Sequence, residues 1–282
     1  MLGGWTMRYA KPFLTFEEQA DLLISRGMSA DRDVLILHLA DVGYYRLSGY
    51  WHIFKQPDDT FREGTTFARV WDLYTFDRQF KLIVFDAIER VEVYLRTQLA
   101  YELAGVGGPF GYLDRENLPN LGQESYEKLL RRCREAHERS RESFAVHFRD
   151  TYGDEHELPP YWMLVNLMDF GMVLTLYRGA PKSIRKKISR TFGIEPTVMN
   201  SWLVTLNTTR NICAHHGRLW NRTLGTKPMI PREQNDSRWH GPFEVSPDKV
   251  FAVLTMLSLM LEVAAPDTAW RDRLFALLCA RT

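Results

Sequence analysis

The sequence predicts an all-α protein built as a helical bundle, and three observations carry that prediction. Apolar residues recur at steps of three and four through most of the chain, while the strict alternation of a half-buried strand is scarce. Helix-opening and helix-closing residues fall where the periodic runs begin and end. With 45% hydrophobic and 13% aromatic residues among 282, the chain can bury a substantial core, which excludes disorder and allows one large domain or one domain with a small appendage.

The elements follow in order. Thr15-Phe-Glu-Glu18 is a capping box, in which the first hydroxyl and the last carboxylate satisfy each other's backbone N–H groups, and Gly27 suits the helix end. Ser29 is placed to cap a second helix carrying Val34, Leu35, Leu37 and Leu39, and Tyr44 to Trp51 form a third. Lys55-Gln-Pro-Asp-Asp-Thr60 is turn chemistry between Phe54 and Phe61, which predicts a small hairpin. Three short helices and a hairpin resemble a winged helix, so residues 13–66 are expected to form an N-terminal subdomain and residues 67–282 the bundle. From Thr66 to Leu103 runs the strongest helical pattern, with Phe80, Val84, Ala87, Val91, Leu95 and Leu99 on one stripe. Glu89 and Arg96 flank it, and Glu92 with Arg96 makes an i,i+4 pair of the kind that ordinarily decorates a solvated face. A Gly/Pro-rich connection spans 105–122. A charge-dense helix over 126–148, an apolar helix over 162–177 and a short basic helix over 182–192 come next. Pro196 opens a helix running to Gly217, and an irregular basic segment, 218–247, precedes a last helix pair.

Charge and cysteine usage bound the function. The net charge is only +1, but residues 178–238 hold twelve Lys/Arg against three Asp/Glu, leaving 24 and 32 elsewhere out of 36 and 35. One basic working surface on an acidic body suits a phosphate-rich partner. Cys133, Cys213 and Cys279 are an odd number without a CxxC pair, which points to a reducing cytoplasm rather than a disulfide frame or zinc site. Met1 to Pro12 lacks the apolar run of a secretion signal, and the longest apolar stretch, Val250 to Leu261, is too short to span a bilayer. A cytoplasmic chain without a membrane partner is therefore expected.

The chemistry concentrates at Leu206-Asn-Thr-Thr-Arg-Asn-Ile-Cys-Ala-His-His-Gly-Arg-Leu-Trp-Asn-Arg222, at the end of an otherwise apolar helix. Asn207, Asn211 and His215 share one helix face at successive i,i+4 steps. Gly217 can end the helix, leaving His215 and His216 in its last turn, where the carbonyl end favours cations. Arg210 precedes His215 by five residues, about 140° around an ideal helix, so its long side chain must reach round or the last turn must unwind. Arg, His and amide groups suit cleavage of RNA by its own 2′-hydroxyl, which needs a base, an acid and a cation on the phosphate. Imidazole does acid and base work near neutrality, and a guanidinium grips phosphate in a fork. The chain contains no phosphate loop, no nucleophile elbow, no metal-ligand cluster and no cofactor motif, so neither cofactor nor metal is expected. Arg followed by His at similar spacing recurs elsewhere, as at Arg46/His52 and Arg141/His147. The weight therefore rests on the Asn directly after Arg210 and on the helix end.

Arg210-Asn-Ile-Cys-Ala-His215 resembles the RNxxxH signature of HEPN ribonucleases. The string through Arg222 is similar to the C-terminal motif of the Abi family, AbiD/AbiF-like abortive-infection proteins. Tyr44 to Trp51 resembles that family's aromatic N-terminal motif, and the stretches from Tyr74 and from Ile88 resemble its central helix. The resemblance implies a HEPN-type bundle, antiphage defence, RNA as substrate and association with a small noncoding RNA. By the same resemblance Arg210 and His215 are catalytic and Asn211 supports them. Asn207, His216, Glu89 and Arg96 stand as supporting candidates, the last two bracing the site from a facing helix. Lys182, Arg185, Lys186, Lys187, Arg218 and Arg222 are the expected RNA contacts. One motif supplies one well-placed His, whereas base and acid are two roles, so a homodimer facing two motifs is expected. HEPN domains also serve as non-catalytic modules, so an RNA- or partner-binding role stands as the alternative. A DNA-binding regulator using the N-terminal subdomain is disfavoured by that segment's small basic excess.

Overall fold

The computed structural model describes residues 10–280, so the reading of Met1 to Pro12 lies mostly outside the described residues. Among these the chain is all-α: twelve α-helices, no extended strands and three isolated β-bridges. The chain forms two compact units that meet in sequence at Gln79/Phe80, a boundary that falls within the fourth helix.

The first unit opens with α1 (Phe16–Ser25), and its capping box forms as the sequence dictates: Thr15 Oγ1 accepts from Glu18 N at 3.2 Å and Glu18 Oε2 from Thr15 N at 2.8 Å. The second helix, α2 (Arg32–Val42), is capped by Asp31 and not by Ser29. The Asp31 carboxylate sits three residues before Val34 N and accepts from it at 3.1 Å. Ser29 is withdrawn by its own backbone, which bonds Thr65 O and Phe67 N. Gly43, at φ 87°, separates α2 from α3 (Tyr44–Trp51). The hairpin is minimal, one antiparallel bridge between Lys55 and Phe61. Leu23, Leu35, Leu39 and Leu47 form the centre of this unit with Tyr50 and Trp51, and the Tyr50 hydroxyl donates to the buried Asp77 carboxylate at 2.6 Å.

The helix α4 (Phe67–Gly107) runs for 41 residues, roughly 60 Å at 1.5 Å per residue. Its stripe Phe80, Val84, Ala87, Val91, Leu95 and Leu99 is wholly buried and forms the spine of the second unit. Two of the expected helices are each broken in two by local polar chemistry. The segment expected as one helix over 126–148 is α5 (Gln123–Arg139) and α6 (Ser143–Tyr152). Ser140 is extended at the break, and the Arg149 guanidinium closes it by donating to the carbonyls of His137 and Ser140. The segment expected over 162–177 is α7 (Tyr161–Leu167) and α8 (Phe170–Gly179), because the Asp169 side chain caps a new helix by accepting from Met172 N at 3.0 Å. An Asx cap offers the backbone an alternative to the continuing ladder.

The basic helix α9 (Lys182–Thr191) leads through Phe192–Glu195 into α10 (Pro196–Ala214), with Pro196 in the first turn, where its missing N–H costs nothing. Trp202 is fully buried, donates its indole N–H to Met229 O at 2.9 Å and stacks near Trp239. The irregular basic segment is thereby packed rather than free. The closing pair α11 (Val250–Ala264) and α12 (Trp270–Cys279) is tied to α4 by the Trp270 indole N–H on Ile83 O at 2.8 Å. No helix of the described residues is long and apolar enough to cross a membrane.

Candidate active site at the end of the tenth helix

The helix α10 ends three residues earlier than Gly217, and the way it ends arranges the motif. His215 is the C-cap, with its N–H on Asn211 O at 3.0 Å. The N–H of His216 turns back to Cys213 O at 3.1 Å and that of Gly217 to Ile212 O at 2.8 Å, the paired bonds of a Schellman termination. The left-handed position in that termination is occupied by His216, at φ 58°, and not by Gly217. Glycine is the usual residue there, and a side chain in that region costs on the order of 1 kcal/mol or more. Gly217 is needed for clearance instead: a Cβ there would stand 3.3 Å from Ile212 Cγ2 and 3.3 Å from Ile212 O. The termination is anchored from α4 by the buried Lys81, whose ammonium donates to Gly217 O at 3.1 Å.

Arg210 lies half-buried with its guanidinium carbon 5.9 Å from the centre of the Phe85 ring on α4. Its Nε is buried without a hydrogen-bond partner, and one terminal nitrogen reaches Asn211 Oδ1 at 3.5 Å, the outer limit of a hydrogen bond. Asn211, His215 and His216 are exposed, so the turn presents an amide and two imidazoles to solvent beside a guanidinium. Asn207, one turn earlier, is half-buried against α8, where a Cβ on Gly171 would be 3.9 Å from its amide nitrogen. The chain then passes Arg218 and Arg222, which an Arg222 to Arg218 O bond of 3.1 Å holds in one turn, with Leu219 buried beneath. These two arginines therefore stay close to the motif in sequence and in the local turn.

Arg96 and the cations of α9 are placed elsewhere. Arg96 is tied to Glu92, buried beside it, and to Val165 O, one of the last carbonyls of α7 that no helical N–H can satisfy. The Glu92/Arg96 pair is thus an interior lock between α4 and α7 rather than a solvated decoration. Glu89 is exposed, one turn along α4 from Phe85. Two residues of α4, Phe85 and Lys81, meet the motif and its termination. Sequence reading passed over them, although a lysine directly beside Phe80 on the core stripe was the available signal.

The basic helix α9 lies at the opposite end of α10. Arg178, just before it, bonds Asn200 Oδ1 at 2.8 Å, Phe192, just after it, packs against Tyr94, and Lys187 pairs with Glu102 at 2.7 Å. Arg185 is half-buried, with Nε buried and unpartnered. Among the described residues no group of three or more His, Cys, Asp or Glu is placed to hold a metal. The buried Cys133 thiol is pushed up to about 12 by desolvation, which makes it inert rather than nucleophilic.

Fold and site together define an all-helical protein that exposes a cationic amide-and-imidazole cluster at one helix end. A family model for Abi-like proteins matches residues 37–221, from α2 to just beyond the motif, and the chain belongs to that family. Membership implies abortive-infection defence against phage. No curated protein and no solved structure matches the chain.

Proposed function

We propose that this protein is a HEPN-type endoribonuclease of abortive infection that cuts RNA through the 2′-hydroxyl without a metal ion, in the cytoplasm. The observation that carries the reading is the end of α10: a guanidinium with an unpartnered Nε, an amide touching it, and an exposed histidine at the helix C-cap five residues on. In the reaction one imidazole takes the 2′-hydroxyl proton and the 2′-oxygen bonds to phosphorus. The bond from phosphorus to the 5′-oxygen breaks, and a second imidazole protonates that oxygen. The products are a 2′,3′-cyclic phosphate and a 5′-hydroxyl. Arg210 holds the charge that accumulates on the phosphoryl oxygens, and Asn211 positions it. Arg218 and Arg222 extend the phosphate contact to neighbouring nucleotides.

Base and acid are two roles, and His215 is one residue per chain. A two-fold dimer that faces two motifs across one cleft supplies both, with RNA between the arginines relieving their repulsion. A small noncoding RNA is the further partner that the family resemblance implies. The test is cleavage of labelled single-stranded RNA by wild type, by His215→Ala and by a purified mixed dimer of the two. Loss in the variant and near-loss in the mixed dimer support the reading; half activity in the mixed dimer, or an active monomer, overturns the shared site. A chain that binds RNA and never cuts it would be the phosphate-holding module that the unpartnered Arg210 Nε also suits.

A further inference from the structure

We infer that α9 is a second RNA-contact site, separate from the cutting site, so that the RNA this enzyme processes well must be long enough to reach both. The inference rests on the reading above for its cutting half and for the choice of RNA as the polyanion. Both ends of α9 are fixed at the far end of α10. Arg178 enters α9 while bonded to Asn200, and the chain leaves α9 through Phe192 to begin α10 at Pro196. The helices α8 and α10 are antiparallel, since Gly171 faces Asn207 while Arg178 bonds Asn200. The whole of α9 is therefore near residues 196–200, and the motif begins at Arg210 and ends beyond Ala214. At 1.5 Å per residue the separation along α10 is roughly 20–27 Å.

The outward side of α9 is built for phosphate. Ile184 and Ile188 are buried, and to their side Ser183, Lys186, Lys187, Arg190 and Thr191 line one shallow cleft. Those positions recur at steps of three and one, so three cations and two hydroxyls fall on a single strip of the helix. Lys186 and Arg190 are exposed, and the pairing of Lys187 with Glu102 is a surface pair at 65% exposure of the lysine, of the kind worth little against a phosphate. Arg185, by contrast, is turned partly inward and does not line the cleft. Apart from Lys187, which Glu102 partly neutralises, the cations of this strip favour a polyanion, and RNA is the polyanion that the proposed cutting site requires. At about 3.4 Å between stacked nucleotides, the gap corresponds to roughly six to eight nucleotides.

The experiment compares single-stranded RNAs of about 5 and about 20 nucleotides, the range a single-strand site covers. They are assayed with wild type, with the triple variant Lys186→Ala/Lys187→Ala/Arg190→Ala, and with a control of equal charge loss on and just after α5, Lys128→Ala/Arg131→Ala/Arg141→Ala, all exposed. Circular dichroism and melting confirm that each chain folds. The triple variant is expected to raise KM for the long RNA about tenfold or more and to lower its log–log salt slope by about 2, at roughly 0.7 per phosphate contact. The same variant should leave kcat on the long RNA, and KM on the short one, as in wild type, and the control should change neither. Equal weakening on both lengths, or no change on either, overturns the inference. If wild type binds RNA without cutting, the same length dependence in Kd still upholds α9, while the cutting reading falls.

Discussion

The two ends of α10 are both polar and both basic, yet they are built in opposite ways. At the start, Pro196 opens the helix without strain and the neighbouring cations lie along one strip of α9. At the finish, a histidine occupies the left-handed position that glycine normally takes, a buried lysine braces the turn, and a guanidinium is left with an unpartnered Nε. The first arrangement can bind a polyanion but has no group to move a proton. The second carries a strained backbone position at His216 beside the proposed site residues, and strain of that kind collects at functional sites. Basic charge is common to both ends; what distinguishes the second is the termination of the helix, and the proposed chemistry is assigned there on that ground.

The largest expected effect separates the two ends by rate. Arg210→Ala or His215→Ala should lower RNA cleavage by on the order of 10³-fold or more, with the melting curve unchanged for His215→Ala, because that side chain is exposed. A residual rate within tenfold of wild type would place the chemistry elsewhere. A second variant acts on the fold alone. Arg96→Ala strips the guanidinium from the buried Glu92 and from Val165 O, and should destabilise the second unit by about 3–5 kcal/mol in denaturant unfolding. If Arg96→Ala melts like wild type but does not cut, Arg96 serves the site rather than the packing of α7.

A pH effect on stability belongs to neither end. His137 is buried, and burial, with Arg149 adding to it, holds its imidazole below the ordinary histidine range. The folded state thus resists a proton that the unfolded chain accepts. Stability is complete above the unfolded value of about 6.5 and falls as pH drops below it, by at most about 1.4 kcal/mol per pH unit. His137→Leu should flatten that part of the stability profile. A slope unchanged in the variant would assign it to other groups. The smallest effect concerns the strained turn: His216→Gly should raise stability by about 1 kcal/mol by relieving the positive φ. A loss of stability would show that the His216 side chain contributes contacts worth more than the strain.

What the sequence made legible follows from how local each determinant is. The capping box at Thr15, the stripe of α4 and the start of α10 at Pro196 are written in neighbouring residues, and they form as expected. The residues of the proposed site could be singled out for the same reason, since Arg210 to Arg222 are contiguous. The breaks at Ser140 and Asp169 were not, because a polar cap competes with a periodic run and only the packed structure decides the contest. The choice of Asp31 over Ser29 turned on Ser29's backbone pairing with a segment more than 30 residues away. The burial of Glu92 and Arg96, the approach of Lys81 and Phe85 to the motif, and the placing of α9 far from it are tertiary facts. They depend on α4 and α8 each packing alongside α10, which no window of the sequence contains.

The most direct measurement is analysis of the RNA ends left by the purified wild-type chain in excess chelator. Cleavage that leaves 2′,3′-cyclic phosphate and 5′-hydroxyl ends, and that vanishes in His215→Ala, is the result expected from the end of α10. Cleavage that requires added magnesium and leaves 3′-hydroxyl ends, or that persists in His215→Ala, would contradict it.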